Sequence, residues 1–266
     1  MDEARTPPKK KLKVGVFKFA SCDGCQLQLI DMAEELALLG QLLGRVDFAH
    51  FLELTSEVDE GPYDLAIVEG SISTEADLKR IREIRNCSRS LVTIGACATS
   101  GGIQALRNWR DSAEIISAVY ARPEYIDTLA DSTAIGDRVV VDFELRGCPV
   151  DRRQLREVVH AFLTGRRPQI PKYSVCMECK RRGNVCVTVA RGEPCLGPIT
   201  QAGCGAICPA YDRGCYGCFG AMEQPNLPAQ IEMMRAQGMS PASISDALHP
   251  FAHTPTTECA TPAKAP

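Results

Sequence analysis

Eight of the fourteen cysteines of this 266-residue chain fall between Cys176 and Cys218, in the pattern C-x2-C-x6-C-x8-C-x8-C-x3-C-P-x5-C-x2-C. The surrounding stretch, from Arg166 to Phe219, is rich in Gly and Pro and has little helical or strand periodicity. A segment like this buries too little apolar surface to hold itself together, so it relies on metal or disulfide staples. The cysteines therefore constrain the fold of this half before any other residue type does.

The choice of staple depends on the compartment. Lys9, Lys10 and Lys11 have no apolar run behind them, and the N-terminal residues contain no twin-arginine pair. Residues 1–12 are expected to be a flexible tail and not a signal peptide. No run approaches the roughly 18 apolar residues of a membrane helix. A cytoplasmic chain with no direct membrane insertion is expected, and disulfides are rare there. Repeated C-x2-C then reads as metal binding. The net charge of -3 includes no dominating basic stretch, which argues against nucleic acid as a partner.

The first half alternates strands with helices. Lys13 to Ala20, Val46 to Leu54, Asp64 to Gly70, Leu91 to Ala96 and Val139 to Leu145 are short apolar runs of strand character. Gln26 to Leu43 has apolar residues at helical spacing. Thr74, with Asp77 three residues on, starts a second helix that runs to about Asn86. A third covers roughly Asp151 to Leu163. This alternation predicts an α/β fold with a mainly parallel sheet covered on both faces. Ligands of such sheets bind beyond the carboxyl ends of the strands. Cys22 and Cys25 follow the first strand, Cys97 follows Leu91 to Ala96, and Cys148 follows Val139 to Leu145. All four are expected at one sheet edge, with Gly24, Gly95, Gly101, Gly102 and Gly147 beside them. The alternative is that Cys97 and Cys148 are ordinary buried cysteines, a common fate for the residue; convergence on one edge favours a shared ligand.

Thiolates gathered in fours hold iron–sulfur clusters. Cys176, Cys179, Cys186 and Cys195 form a second set, and Cys204, Cys208, Cys215 and Cys218 a third. Structural zinc also uses four thiolates and C-x2-C, and stays open on spacing alone. The Cys-Pro at Cys208 and Pro209 echoes bacterial ferredoxin motifs, where the cysteine before Pro serves the other cluster, so Cys208 could serve either set. Cys87 and Cys259 are left over, and His50, His160, His249 and His253 show no ligand spacing. No nucleophile–base pair, phosphate loop or dinucleotide fingerprint stands out, which implies a catalytic partner. From Pro225 two short helical stretches, Ala229 to Gln237 and Pro241 to Leu248, precede a Thr-, Ala- and Pro-rich tail expected to be disordered.

CDGC (Cys22 to Cys25), VEGSI (Val68 to Ile72), GACATSGG (Gly95 to Gly102) and GCPVD (Gly147 to Asp151) resemble the small subunit of nickel–iron hydrogenases and the 20-kDa NADH:quinone oxidoreductase subunit. Cys195 to Cys218 looks most like the cytoplasmic multi-subunit hydrogenases, including the NADP-coupled sulfhydrogenase delta subunits. The resemblance spans roughly Lys13 to Phe219. It implies a flavodoxin-like domain at 13–165, a small irregular iron–sulfur domain at 166–224, and short helices with a disordered tail at 225–266. It also implies three 4Fe–4S clusters. The proximal one would be held by Cys22, Cys25, Cys97 and Cys148. The distal one would be held by Cys176, Cys179, Cys186 and Cys195, with Cys176 standing where exported hydrogenases have a histidine. The medial one would be held by Cys204, Cys208, Cys215 and Cys218. Cys208 is an addition to the three-iron pattern of the exported group. Glu69 matches the glutamate of VEGSI, with a role near the proximal cluster or as a structural acid. The implied partners are a nickel–iron large subunit, an NAD(P)- and flavin-binding diaphorase subunit and a further iron–sulfur subunit. The rival reading is a subunit of a quinone-reducing complex, or of a deazaflavin- or heterodisulfide-linked hydrogenase.

Overall fold

A computed structural model describes residues 11–32, 46–56, 58–249 and 251. Five parallel strands form one sheet in the order β2-β1-β3-β4-β5: β1 (Leu12–Lys18), β2 (Val46–Phe51), β3 (Tyr63–Glu69), β4 (Ser88–Ile94) and β5 (Phe143–Leu145). This is the flavodoxin-like order. The central strands alternate sides because side chains in a strand repeat every two residues. Val14, Val16, Leu65, Ile67, Val92 and Ile94 face one core, which they share with Leu29, Met32, Leu155, Val158 and Val159. Phe17, Ala66, Val68 and Leu91 face a second core with Ile81, Ile84 and Ile135. Both faces are thus covered, and the strands read as near-continuous apolar runs.

Three helices provide that cover. Helix α1 occupies residues 24–32, and the rest of the predicted stretch to Leu43 lies outside the described residues. Helix α2 (Glu75–Asn86) begins at Thr74, whose side chain accepts from the Asp77 N–H at 3.1 Å. Asp77 returns the bond to the Thr74 N–H at 3.0 Å, closing the capping box the sequence announces. After the short α3 (Gly95–Ser100) and α4 (Ser112–Val119), α5 (Arg152–Thr164) is capped by Asp151 and ended by Gly165 at φ 70°.

Two expectations need correction. The strand predicted from Val139 to Leu145 shortens to Phe143–Leu145. The N–H groups of Arg138 and Val139 bond back to the Ile135 carbonyl, and Val140 is 77% exposed, so residues 139–141 stay off the sheet, and Asp142 meets β4 only at its edge, its N–H donating to the Leu91 carbonyl at 2.9 Å. The cysteine-rich stretch is also more helical than its periodicity indicates. It carries α6 (Val175–Arg181), α7 (Val187–Arg191) and α8 (Ile207–Ala210), each too short to show a period. The predicted C-terminal helices are present as α9 (Leu227–Ala236) and α10 (Pro241–Leu248), and pack on Leu196 and Ile199. Cys259, His253 and the Thr-, Ala- and Pro-rich tail lie outside the described residues.

Candidate iron–sulfur sites

The sheet delivers the first four cysteines to one place. Cys22 precedes α1 and Cys25 lies in its first turn; Cys97 lies in α3, directly after β4; Cys148 follows β5. Cys25 is within electrostatic reach of Cys97 and Cys148, and Cys97 and Cys148 are each within reach of Cys22. Burial raises the Cys25 and Cys148 thiols and pushes Cys97 up to about 11. Such thiols hold their protons until something cationic takes the thiolate. A Cβ on Gly95, whose φ is +87°, would lie 2.5 Å from the Cys25 sulfur, and one on Gly102 would lie 2.9 Å from the Cys97 sulfur. The glycines keep the space around the thiols clear, as a bulky inorganic ligand requires.

Glu69 ends β3 at 2% exposure, and its carboxylate accepts the N–H groups of Cys25 and Gln26, each at 3.1 Å. Burial raises its carboxyl, while these two bonds pull it back down. Glu69 therefore caps α1 and also borders the first set of thiols.

The other eight cysteines form two groups. Cys176 and Cys179 share one turn of α6, Cys186 caps α7, and Cys195 follows it; Cys176 and Cys179 each interact with Cys186 and Cys195. Burial pushes Cys176 up to about 11. In the third group Cys218 interacts with Cys204 and Cys208, and Cys215 interacts with Cys218. Burial takes Cys215 and Cys218 up to about 12. Cys208 stands with Cys204 and Cys218. The groups also touch in series. The Cys215 N–H donates to the Cys195 sulfur at 3.2 Å, and the Cys148 N–H bonds toward the Cys218 sulfur.

All the described cysteines are free. Among the described residues, no three His, Cys, Asp or Glu side chains close to the spacing of a single metal ion. Cys87 stands apart, its Sγ donating to the Ile84 carbonyl at 3.4 Å.

Sequence reasoning missed several neighbours of the thiols. Gln104 and Thr200 set polar side chains against Cys97 and Cys215, where they counter the effect of burial. Arg146 donates to the Ala221 carbonyl at 2.8 Å, tying the strand end before Cys148 to the segment after Cys218. None of the three recurs at a telling spacing, so no local pattern marks them.

Comparison with known proteins bears on what these sets belong to. The family described as NADH ubiquinone oxidoreductase, 20 Kd subunit, matches residues 22–162. Sulfhydrogenase 2 subunit delta of Pyrococcus furiosus is 36% identical over 224 residues, covering 84% of this chain and 92% of that protein. The chain belongs to the hydrogenase small-subunit family. A subunit of the F420-non-reducing hydrogenase vhu of Methanocaldococcus jannaschii is 32% identical over 242 residues, covering 80% of this chain and 83% of that protein. Among solved structures, an NAD+-reducing NiFe hydrogenase in the H2-reduced state superposes with a TM-score of 0.54 at 26% identity, over 60% of this chain and 96% of that one. Hydrogenase small subunits transfer electrons, carry iron–sulfur clusters and pair with a large catalytic subunit. This small subunit is thus one component of an oxidoreductase complex. No helix among its described residues is long and apolar enough to cross a membrane.

Proposed function

We propose that this small subunit carries electrons between a nickel–iron large subunit and an NAD(P)-reducing partner, in either direction, through three 4Fe–4S clusters. Cys22, Cys25, Cys97 and Cys148 would hold the proximal cluster, Cys204, Cys208, Cys215 and Cys218 the medial one, and Cys176, Cys179, Cys186 and Cys195 the distal one. When bound, such a group supplies a one-electron store whose potential follows burial and hydrogen bonds to sulfur. The chain's own part is to position and shield. Every thiolate is a ligand and none a nucleophile. The sheet domain would span 13–165 and the two-cluster domain 166–224.

The serial contact of the three sets carries this reading: Cys148 against Cys218, then Cys215 against Cys195. Four thiols per set, with glycines that leave room beside them, are the donor arrangement a four-iron cluster needs. Cys22 and Cys148 are exposed at the open edge of the first set, and Ile103, Leu106 and Trp109 stand exposed beyond Cys97. An open, apolar-flanked edge fits burial against a large subunit. The likeness to an NAD+-reducing enzyme supports NAD(P) as the acceptor; a flavin- and NAD(P)-binding diaphorase subunit, a further iron–sulfur subunit and a cytoplasmic location complete the proposal. The likeness to an F420-non-reducing hydrogenase supports a second reading, in which the acceptor is neither NAD(P) nor F420; a heterodisulfide-reducing partner is the form that reading takes.

Purification of the native complex and identification of its co-eluting subunits tests this. A flavin- and NAD(P)-binding subunit is expected. A heterodisulfide reductase in its place overturns the NAD(P) assignment in favour of the second reading.

A further inference from the structure

We propose that Arg146 is a positioning residue for electron passage: it clamps the first cysteine set to the third and so fixes the gap between them. This rests on the electron-transfer reading above and names the side chain that governs its first step inside the subunit. That step moves one electron between the sets, with no bond made or broken at Arg146.

Arg146 stands where the two sets meet. It directly follows Leu145, the last residue of β5, and precedes Cys148 by two positions. Its Nη1 donates to the carbonyl of Ala221, just beyond Cys218, at 2.8 Å. Its Nη2 lies 3.6 Å from the Glu144 carboxylate. Both arms of one planar group are in use, an arrangement that a guanidinium fork allows and a point-like ammonium does not. The two segments pack closely around it. A Cβ on Gly220, whose φ is +69°, would lie 3.1 Å from the Arg146 Cδ, and one on Gly147 would lie 3.2 Å from the Phe219 ring.

Both ends of the clamp are anchored. On the sheet side Leu145 is fully buried and pairs with Ile94, and the Gly147 carbonyl accepts the Ala96 N–H at 2.8 Å, next to Cys97. On the other side Ala221 bridges to Thr200, whose side chain stands against Cys215, and the Gly220 N–H donates to the Gly217 carbonyl at 2.8 Å. A shift of Arg146 is therefore a shift of Cys148 against Cys218, the pair through which the two sets meet. Gln154 also joins the two parts, its Nε2 donating to the Ala202 carbonyl at 3.3 Å, but it does so from within α5 and not from the strand end that presents Cys148.

A plain surface role does not explain this arrangement. A cation facing water needs no carbonyl partner, yet the Arg146 side chain is only 35% exposed and exchanges hydration for one. A constellation of reacting groups works only where the surrounding contacts hold its geometry, and Arg146 supplies that hold between the two sets.

The test uses the purified holoenzyme complex. Iron per chain reports loading, and H2–D2 exchange reports whether the large subunit is competent. EPR of the reduced enzyme reads the magnetic interaction between the first and third sets, which depends on their separation. Arg146→Met keeps an unbranched stem without the fork. It is expected to load like the wild type, to lose the splitting that this interaction produces, and to slow the H2-driven reduction of the third set followed by freeze-quench. Arg146→Lys keeps the charge, and with it the cation's pull on nearby thiolates, but not the fork, so the splitting is expected to stay weakened. Where Arg146→Met loads poorly, Glu144→Gln decides: it weakens one arm only and is expected to give the same change to a smaller degree. Wild-type splitting in the loaded variant that decides, or its full recovery in Arg146→Lys, overturns the proposal. A loaded wild type that exchanges H2 yet reduces neither set under H2 overturns the electron-transfer reading itself.

Discussion

The backbone N–H of Cys215 donates to the sulfur of Cys195 at 3.2 Å. These residues lie 20 positions apart and belong to different four-cysteine sets. The bond makes the backbone of one set a direct neighbour of a thiol in the next. Gly197 lies in the same place: a Cβ there would be 3.3 Å from the Cys195 sulfur, 3.5 Å from that of Cys176 and 3.7 Å from the Cys215 Cβ. In the proposed series this contact is where the second and third sets adjoin.

Gly95→Ala is expected to prevent loading of the first set. The added methyl would stand 2.5 Å from the Cys25 sulfur, at a φ of +87° that L residues rarely adopt. Iron analysis and the dithionite-bleachable visible absorption of the variant check this. A fully loaded variant means that the thiols do not close around a ligand as described.

Cys148→Ala is expected to abolish H2-dependent dye reduction by the complex while leaving the nickel content of the large subunit intact. Nickel and activity assays on the same preparation separate the two effects. Unchanged dye reduction removes Cys148 from the conducting route.

Much of this site was readable in advance because its signals are local. The Thr74 capping box and the C-x2-C pairs each lie within a few residues of sequence. The placement of Cys22, Cys25, Cys97 and Cys148 at one edge followed from strand alternation, because every parallel strand ends on the same side. The shortened β5 was not readable. Val139 to Leu145 carries the strand pattern, but bonds to the Ile135 carbonyl and the exposure of Val140 override it. The roles of Arg146, Gln104 and Thr200 arise from tertiary contacts between distant segments, which no spacing encodes.

Cys87→Ala is expected to be silent in metal content and activity. Its thiol sits at the C-terminal end of α2, bonded to the Ile84 carbonyl and remote from every set. Loss of a cluster in this variant, read by iron content, assigns a ligand role to the wrong thiol above.

Acid should reveal the clamp at the end of α5. Both Arg166 guanidinium nitrogens reach the Glu157 carboxylate, and the Gln169 N–H adds a third bond at 2.8 Å. Together they hold the Glu157 carboxyl at about 2. Its folded value lies below its unfolded one, so its contribution to stability is complete above the ordinary carboxylate range of about 4 and is lost as pH falls toward about 2. Glu157→Gln should therefore lower the Tm at pH 7, with a gap that narrows below about pH 4. The clamp is solvent-exposed, so the gap is small. Thermal unfolding from pH 7 to pH 3 reads it, and a gap constant over that range contradicts the assignment.

Iron and acid-labile sulfide, counted per chain after anaerobic assembly of this subunit, bear most directly on the three-cluster series. Three cubane clusters require about twelve of each. About four irons or fewer would fill a single cubane and leave two of the cysteine sets without the groups that conduction needs.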